Sequence, residues 1–245
     1  MSQTSTASTH AQRALFSLRQ RILSGAIQGG TRLFEVALAE ELQISRTPVR
    51  AALSQLAEEG LLERGQSGGF TVRSFALAEV VDTIELRGVL EGTAARFAAE
   101  RGADPDLLTK IEFLLADLDA CVFVKTEEID ISRYAMLNTQ FHVLLSRLCG
   151  SAVLQREIER VTRLPFASPS AFLADDLKID RFRRTLIPAQ EQHRSIVEAI
   201  RAREGARAES IAREHARAAR RNVEFLFAAD PKQRIGVSSL ALIAS

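Results

Sequence analysis

The chain has 245 residues, of which 46% are hydrophobic, and a formal net charge of +1. That length fits one large domain or two small ones with a real apolar core. The near-neutral balance excludes a polycation, so nucleic-acid binding must come from a local patch. Arginine outnumbers lysine 28 to 4 along the whole chain, so no single arginine is informative by type alone.

The opening run MSQTSTASTHAQ is polar and lacks the apolar centre of a secretory signal. No apolar run approaches the ~18 residues needed to span a bilayer. Cys121 and Cys149 lie far apart inside helical patterns without metal-ligand spacing, as buried thiols of a reduced compartment do. A cytoplasmic protein without membrane contact is expected.

Residues 1–9 are rich in Ser and Thr and are expected to be disordered. Over residues 12–24, Leu15, Leu18, Ile22 and Leu23 recur at helical spacing. Gly25 and the Gly29-Gly30 pair break the pattern. The run LAEELQISRTPVRAALSQLAEEGLL, residues 38–62, then reads as a short helix, a tight turn and a second helix. Ser45 is expected to cap that second helix through the Thr47 amide, with Ile44 and Val49 at hydrophobic-staple positions. Pro48 falls in the first turn, where its missing N–H is harmless. Val49, Ala52, Leu53 and Leu56 form the inward stripe.

Arg46 and Arg50, four apart, project beside that stripe, with Thr47 further round. A guanidinium can fork onto a guanine edge or clamp a phosphate, and a threonine hydroxyl can donate to a phosphate. The alternative is two solvated arginines. The helix macrodipole disfavours cations at this end, which favours a bound anion such as double-stranded DNA. Runs 61–64 and 70–73 are β-type, and Gly65, Gly68 and Gly69 between them suggest a small hairpin.

From Ala76 onward helical periods take over, and no strand pattern follows Val72. Pro165, Pro169 and Pro188 are expected to mark bends or helix ends. The expected fold is mainly α. A winged helix-turn-helix with a small β-hairpin occupies residues 1–75, and an all-helical bundle occupies 76–230. A tail, 231–245, is loose or docks on a partner surface.

His142, His193 and His215 lie on three different expected helices, and Asn138 shares a face with His142. Three imidazoles and one amide oxygen can hold a divalent ion if the helices converge, and packed or surface histidines are the alternative. Tyr134, Asn138 and His142 repeat every four residues, so Tyr134 either faces the same cavity or packs in the core. Arg87 can pair with Glu91 at i+4. A His₃ ion site also suits hydrolytic chemistry. No Glu lies within four residues of His142, and no nucleophile elbow, P-loop or dinucleotide fingerprint is present. A metal-dependent enzyme fused to a DNA-binding module, and a metal-ion sensor, stand as alternatives to an effector-controlled regulator.

Residues 38–62 closely resemble the winged helix-turn-helix of the GntR family of bacterial transcription regulators, and GQSGGFTV resembles its wing. The resemblance implies DNA contacts from Arg46 and Arg50 and a close approach to the minor groove at Gly68 or Gly69. Some members carry a further DNA-contacting arginine where this chain has Val36, a role Arg32 can take. The segments ELRGVLEGTAARFAAER, NTQFHVLLSRLCG, EQHRSIVEAI and AREHARAARRNV resemble the FCD effector-binding domain of the FadR-like branch. That implies a homodimeric repressor, an ion such as zinc or nickel, and a small organic acid as effector. Asn138, His142, His193 and His215 match the ligand positions, Asn138 standing where an aspartate is commonest. Arg87 matches an arginine directed at an effector carboxylate. The segment RLPFASPSAFL resembles the branch that answers to vanillate and is expected to line the cavity.

Overall fold

The computed structural model describes residues 3–65, 68–125, 128–170, 180–228 and 242–244. The chain divides into two compact units, residues 1–77 with 238–245, and residues 78–237.

In the first unit, α1 (Gln3–Leu23) is followed by β1 (Arg32–Leu33), α2 (Glu35–Leu42), α3 (Arg46–Glu58), β2 (Leu62–Arg64) and β3 (Phe70–Val72). Helix α1 starts before the apolar period does, so the Ser/Thr-rich segment expected to be disordered is helical from Gln3. Helices α1 and α3 pack together, and Leu18 and Ile22 of α1 and Val49, Leu53 and Leu56 of α3 are all fully buried. Each such side chain contributes about 1.5–3 kcal/mol. Gln43 ends α2 with φ 54°, a left-handed turn that lets the Ile44 N–H donate to the Ala39 carbonyl at 3.1 Å. This closes the tight turn and fixes where α3 begins.

Ser45 is the N-cap residue of α3 with an extended backbone, but its side chain makes no cap hydrogen bond, contrary to expectation. A capping oxygen normally takes the N–H of the second or third helical residue, and the third here is Pro48, which has none. The hairpin of β2 and β3 forms with Leu62 opposite Val72 and Arg64 opposite Phe70. The sequence reading missed β1, which extends this sheet by pairing Arg32 with Thr71. It also missed β4 (Phe75–Ala76) and β5 (Ile243–Ala244), which pair in parallel. The last described residues of the expected loose tail are thus a strand.

The second unit is helical: α4 (Leu77–Arg101), α5 (Pro105–Val122), α6 (Ile131–Leu148), α7 (Ala152–Thr162), α8 (Asp180–Arg201) and α9 (Gly205–Ala228). Asp104 caps α5 through the amides of Asp106 and Leu107, and Asp130 caps α6 through Arg133. Those caps set the helix starts and so the phase of the faces that follow. Ile111, Leu118, Phe141, Leu145, Ile196 and Ile200 form the buried centre. Pro188 lies inside α8 and does not end it, because the turns on both sides bury Leu186 and Ile196 in the same core.

Helices α4 and α9 meet at glycine. A Cβ on Gly88 would stand 2.6 Å from the Ala216 Cβ, and one on Gly92 2.8 Å from the Arg213 Cγ. Gly88→Val is therefore expected to push α9 away and destabilise the unit by about 1–3 kcal/mol. A urea-unfolding midpoint equal to wild type would refute this close packing.

Candidate functional site

Helices α6, α8 and α9 each bring one buried histidine to a common point. One ligand nitrogen from each of His142, His193 and His215 lies within 4.8 Å of the others. The Nε2 atoms of His193 and His215 are 3.0 Å apart. Bonds of about 2.0–2.1 Å to one ion place ligand atoms within about 4 Å, so closing the set takes under about 1 Å.

The outer partners decide which nitrogen faces inward. His142 Nδ1 is 2.9 Å from Glu91 Oε1, and this ionised carboxylate can only accept. Gln190 donates its amide N–H groups to the Leu115 carbonyl at 3.2 Å and Asp119 Oδ1 at 2.8 Å. Its oxygen therefore accepts from His193 Nδ1 at 3.0 Å. His215 Nδ1 stands 3.2 Å from Gln192 Oε1. His142 and His193 thus donate from Nδ1 outward and turn Nε2 inward, and His215 can take the same tautomer. This is the outer-shell pattern of metal-bound imidazoles.

His142 Nε2 is buried without a hydrogen-bond partner. Burial holds His193 well below the usual imidazole range and pushes His215 down to about 3. His193 and His215 are therefore neutral rings, and their inward nitrogens fit a cation. Phe141 lies against the His193 ring, with centroids 4.0 Å apart, and limits its rotation.

Asn138 is buried one turn before His142. Its amide N–H₂ donates to the Pro169 carbonyl at 3.3 Å and to Ser170 Oγ at 3.2 Å, which leaves its carbonyl oxygen as the atom able to ligate. Beside His142 a cavity of about 230 Å³ is lined by Glu91, Thr139, Ser146, Arg163 and Pro169 among others. Arg163 and Pro169 belong to the segment expected to line it, while Ala171, Phe172 and Leu173 fall outside the described residues. At that volume the cavity suits a small ligand.

Two expected effector residues sit elsewhere. Tyr134 is in the apolar core, where burial pushes its hydroxyl pKa up, and does not line the cavity. Arg87 is 2% exposed and donates from Nη1 to the Ala167 carbonyl at 2.8 Å. Its Nε is 3.7 Å from Glu91 Oε2, which is the intrahelical pair. Burial raises the Glu91 pKa, but His142 and Arg87 lower it further, to about 2.

Glu91, Gln190 and Gln192 were absent from the sequence-expected set of ligands. Glu91 carried one signal, its i+4 spacing from Arg87. Gln190 carried another, three residues before His193 on a helix. A carboxylate does stand beside His142 although no Glu is near it in sequence; Glu91 reaches Nδ1 from another helix.

In the first unit, Arg46, Thr47 and Arg50 are exposed at the start of α3, as a reading helix requires. Both arginines meet Glu35, at the start of α2. Arg50 Nε and Nη2 each lie 2.8 Å from its two oxygens, and Arg46 Nη2 lies 3.6 Å from Oε2. An internal carboxylate thus supplies counter-charge to both arginines. Gly68 and Gly69 both have φ 83°, so the wing turn needs their left-handed freedom. The Arg32 guanidinium reaches this turn, with Nη2 3.8 Å from where a Cβ on Gly65 would be. Val36 is exposed and brings no charge.

Among the described residues, no helix is long and apolar enough to cross a membrane. Residues 10–72 match the model for bacterial regulatory proteins of the gntR family, and residues 82–218 match the FCD domain. The Nta operon transcriptional regulator of Aminobacter aminovorans is 33% identical over 139 residues, 56% of this chain and 63% of that protein. The chain therefore spans under two thirds of that relative. A probable D-xylose utilization operon transcriptional repressor of Paenarthrobacter nicotinovorans is 32% identical over 186 residues, 74% of each chain. The solved structure of E. coli McbR/YncC shares the fold, with a TM-score of 0.62 at 21% identity over 89% of this chain and 97% of that one. These matches and the fold place the chain in the GntR family of bacterial regulatory proteins, in the form that carries an FCD domain.

Proposed function

We propose that the protein is a transcription repressor that binds double-stranded operator DNA as a homodimer and releases it when a small organic acid binds its helical unit. The observation that carries this reading is the inward convergence of three imidazole nitrogens beside a small cavity. His142, His193 and His215, with the Asn138 oxygen, would hold a divalent ion such as zinc or nickel. The ion would supply positive charge for an effector carboxylate. Similarity to a named repressor supports the sign of the response, and an aromatic acid such as vanillate is a candidate effector.

This chain's residues set how strongly that charge acts. Imidazole ligands in their neutral form and a neutral amide would leave such an ion its full +2. Glu91 lies one bond network further out and already answers Arg87 and His142. The effector's carboxylate then completes the neutralisation. Effector binding shifts the population between states that do and do not match the operator, with a coupling of about 1–3 kcal/mol. Arg46, Thr47, Arg50, Arg32 and the wing glycines make the DNA contacts.

The test uses the zinc- or nickel-loaded full chain and a duplex enriched from a randomised pool by that protein. A panel of organic acids, vanillate included, is titrated while DNA release is read by fluorescence anisotropy. Release by an acid recovered unchanged, and only with metal loaded, supports the reading. Consumption of the acid overturns it in favour of an enzyme, and control by metal alone in favour of a metal sensor. Asn138→Asp is expected to hold the metal more tightly and to weaken the acid, because the new charge neutralises part of the ion. Equal metal and acid affinities in the two proteins would remove the electrostatic part of the proposal.

A further inference from the structure

We infer that Glu35 is a positioning residue for DNA reading: it holds the Arg50 guanidinium side-on and leaves the opposite edge of the fork for a guanine. This rests on the reading of α3 as the recognition helix.

The geometry is specific. Arg50 is 63% exposed, and a free side chain there would sample many rotamers, whereas Glu35 is only 17% exposed. The carboxylate is anchored in the first turn of α2, where the helix macrodipole favours it. Its two oxygens take Nε and one Nη2 hydrogen of Arg50, both at 2.8 Å. A guanidinium has five donors. Two are engaged here, which leaves the Nη1 group and the second Nη2 hydrogen on the outer edge. That pair is what a bidentate contact to guanine O6 and N7 uses. Glu35 also stands 3.6 Å from Arg46 Nη2 and so balances two cations placed against the dipole of α3.

A carboxylate on this surface has a second consequence. It repels phosphates, so Glu35 weakens non-specific binding while it sharpens the specific contact. Removing it should therefore alter discrimination, not simply affinity. That pattern separates a positioning role from a scaffold role, in which all binding falls together with stability. It also separates it from a carboxylate that merely competes with DNA, whose removal would tighten operator and non-operator DNA equally.

The experiment compares wild type, Glu35→Ala, Glu35→Gln, Arg50→Ala and the Glu35→Ala/Arg50→Ala double variant in the full chain. Each is used to enrich duplexes from one randomised pool. Each is then titrated with the wild-type-enriched duplex and a scrambled duplex of equal length. Circular dichroism and thermal unfolding verify the fold. The expected result is a guanine preference lost in Arg50→Ala. In both Glu35 variants the ratio of enriched to scrambled affinity falls about tenfold or more. Scrambled-duplex affinity is retained or raised, and helix content is unchanged. In the Arg50→Ala background, Glu35→Ala lowers discrimination no further.

An unchanged ratio in both Glu35 variants overturns the inference. So does an equal fall in both affinities, an equal rise in both, or a full loss that persists without Arg50. If wild type enriches no sequence, the recognition-helix reading itself fails and the inference falls with it.

Discussion

Arg87→Ala is expected to destabilise the helical unit by about 3–5 kcal/mol, because it leaves the Glu91 carboxylate buried with one fewer cation. Arg87 and Glu91 are each 2% exposed, and both lie on α4 among residues that meet other helices. The guanidinium also satisfies the Ala167 carbonyl, which would lose its donor. The double variant Arg87→Met/Glu91→Leu removes both charges and should recover part of the loss, although His142 Nδ1 is then unpaired. This cycle separates the two roles considered for Arg87. A residue that serves the effector alone would lose acid affinity with an unchanged unfolding midpoint. A structural partner of Glu91 lowers the midpoint in metal-free, acid-free protein. Urea unfolding monitored by circular dichroism decides between them. A midpoint unchanged in Arg87→Ala would show that the ion pair contributes nothing to the fold.

The fate of Arg87 shows what kind of information the sequence carried. Its pairing with Glu91 is a local i,i+4 relation and was readable directly. That Glu91 also meets His142 was not readable, since it depends on which faces of α4 and α6 oppose each other. Tyr134 illustrates the limit of helical periodicity. A spacing of four residues advances about 40° past a full turn, so eight residues rotate a side chain by about 80°. Tyr134 therefore faces the apolar core, while His142 faces the cluster.

The long helices and the two-helix reading segment were legible because their apolar stripes repeat over many residues. Strands β1, β4 and β5 have two residues each and offer no alternation to detect. The wing was legible through its glycines, whose positive φ has a direct sequence signature. The need for negative charge at the start of α3 was legible in the sequence. That Glu35 supplies part of it was not, because Glu35 belongs to a different helix and only the fold brings it to Arg50.

His193→Ala is expected to abolish metal retention, a loss greater than the roughly 10–100-fold typical of removing an outer-shell partner. His193 Nε2 and His215 Nε2 face each other at 3.0 Å, and both rings donate outward from Nδ1. His142 Nε2 is unpaired, and with both other rings donating outward the facing Nε2 atoms are left without a proton to share, a set of acceptors that one cation would satisfy. An unmet buried polar group costs about 1–3 kcal/mol, so the wild-type unit should gain stability when zinc or nickel is added. At a hundredfold excess over its dissociation constant, the ion adds about 2.7 kcal/mol. For a unit of this size that raises the unfolding temperature by roughly 5–10 °C, reversed by a chelator. In His193→Ala the rise should vanish. In Glu91→Gln it should shrink but persist, because the ligand remains while its outer acceptor is weakened. The opposite ranking, or a full metal-dependent rise in His193→Ala, would mean that the converging histidines are packing residues and do not form an ion site.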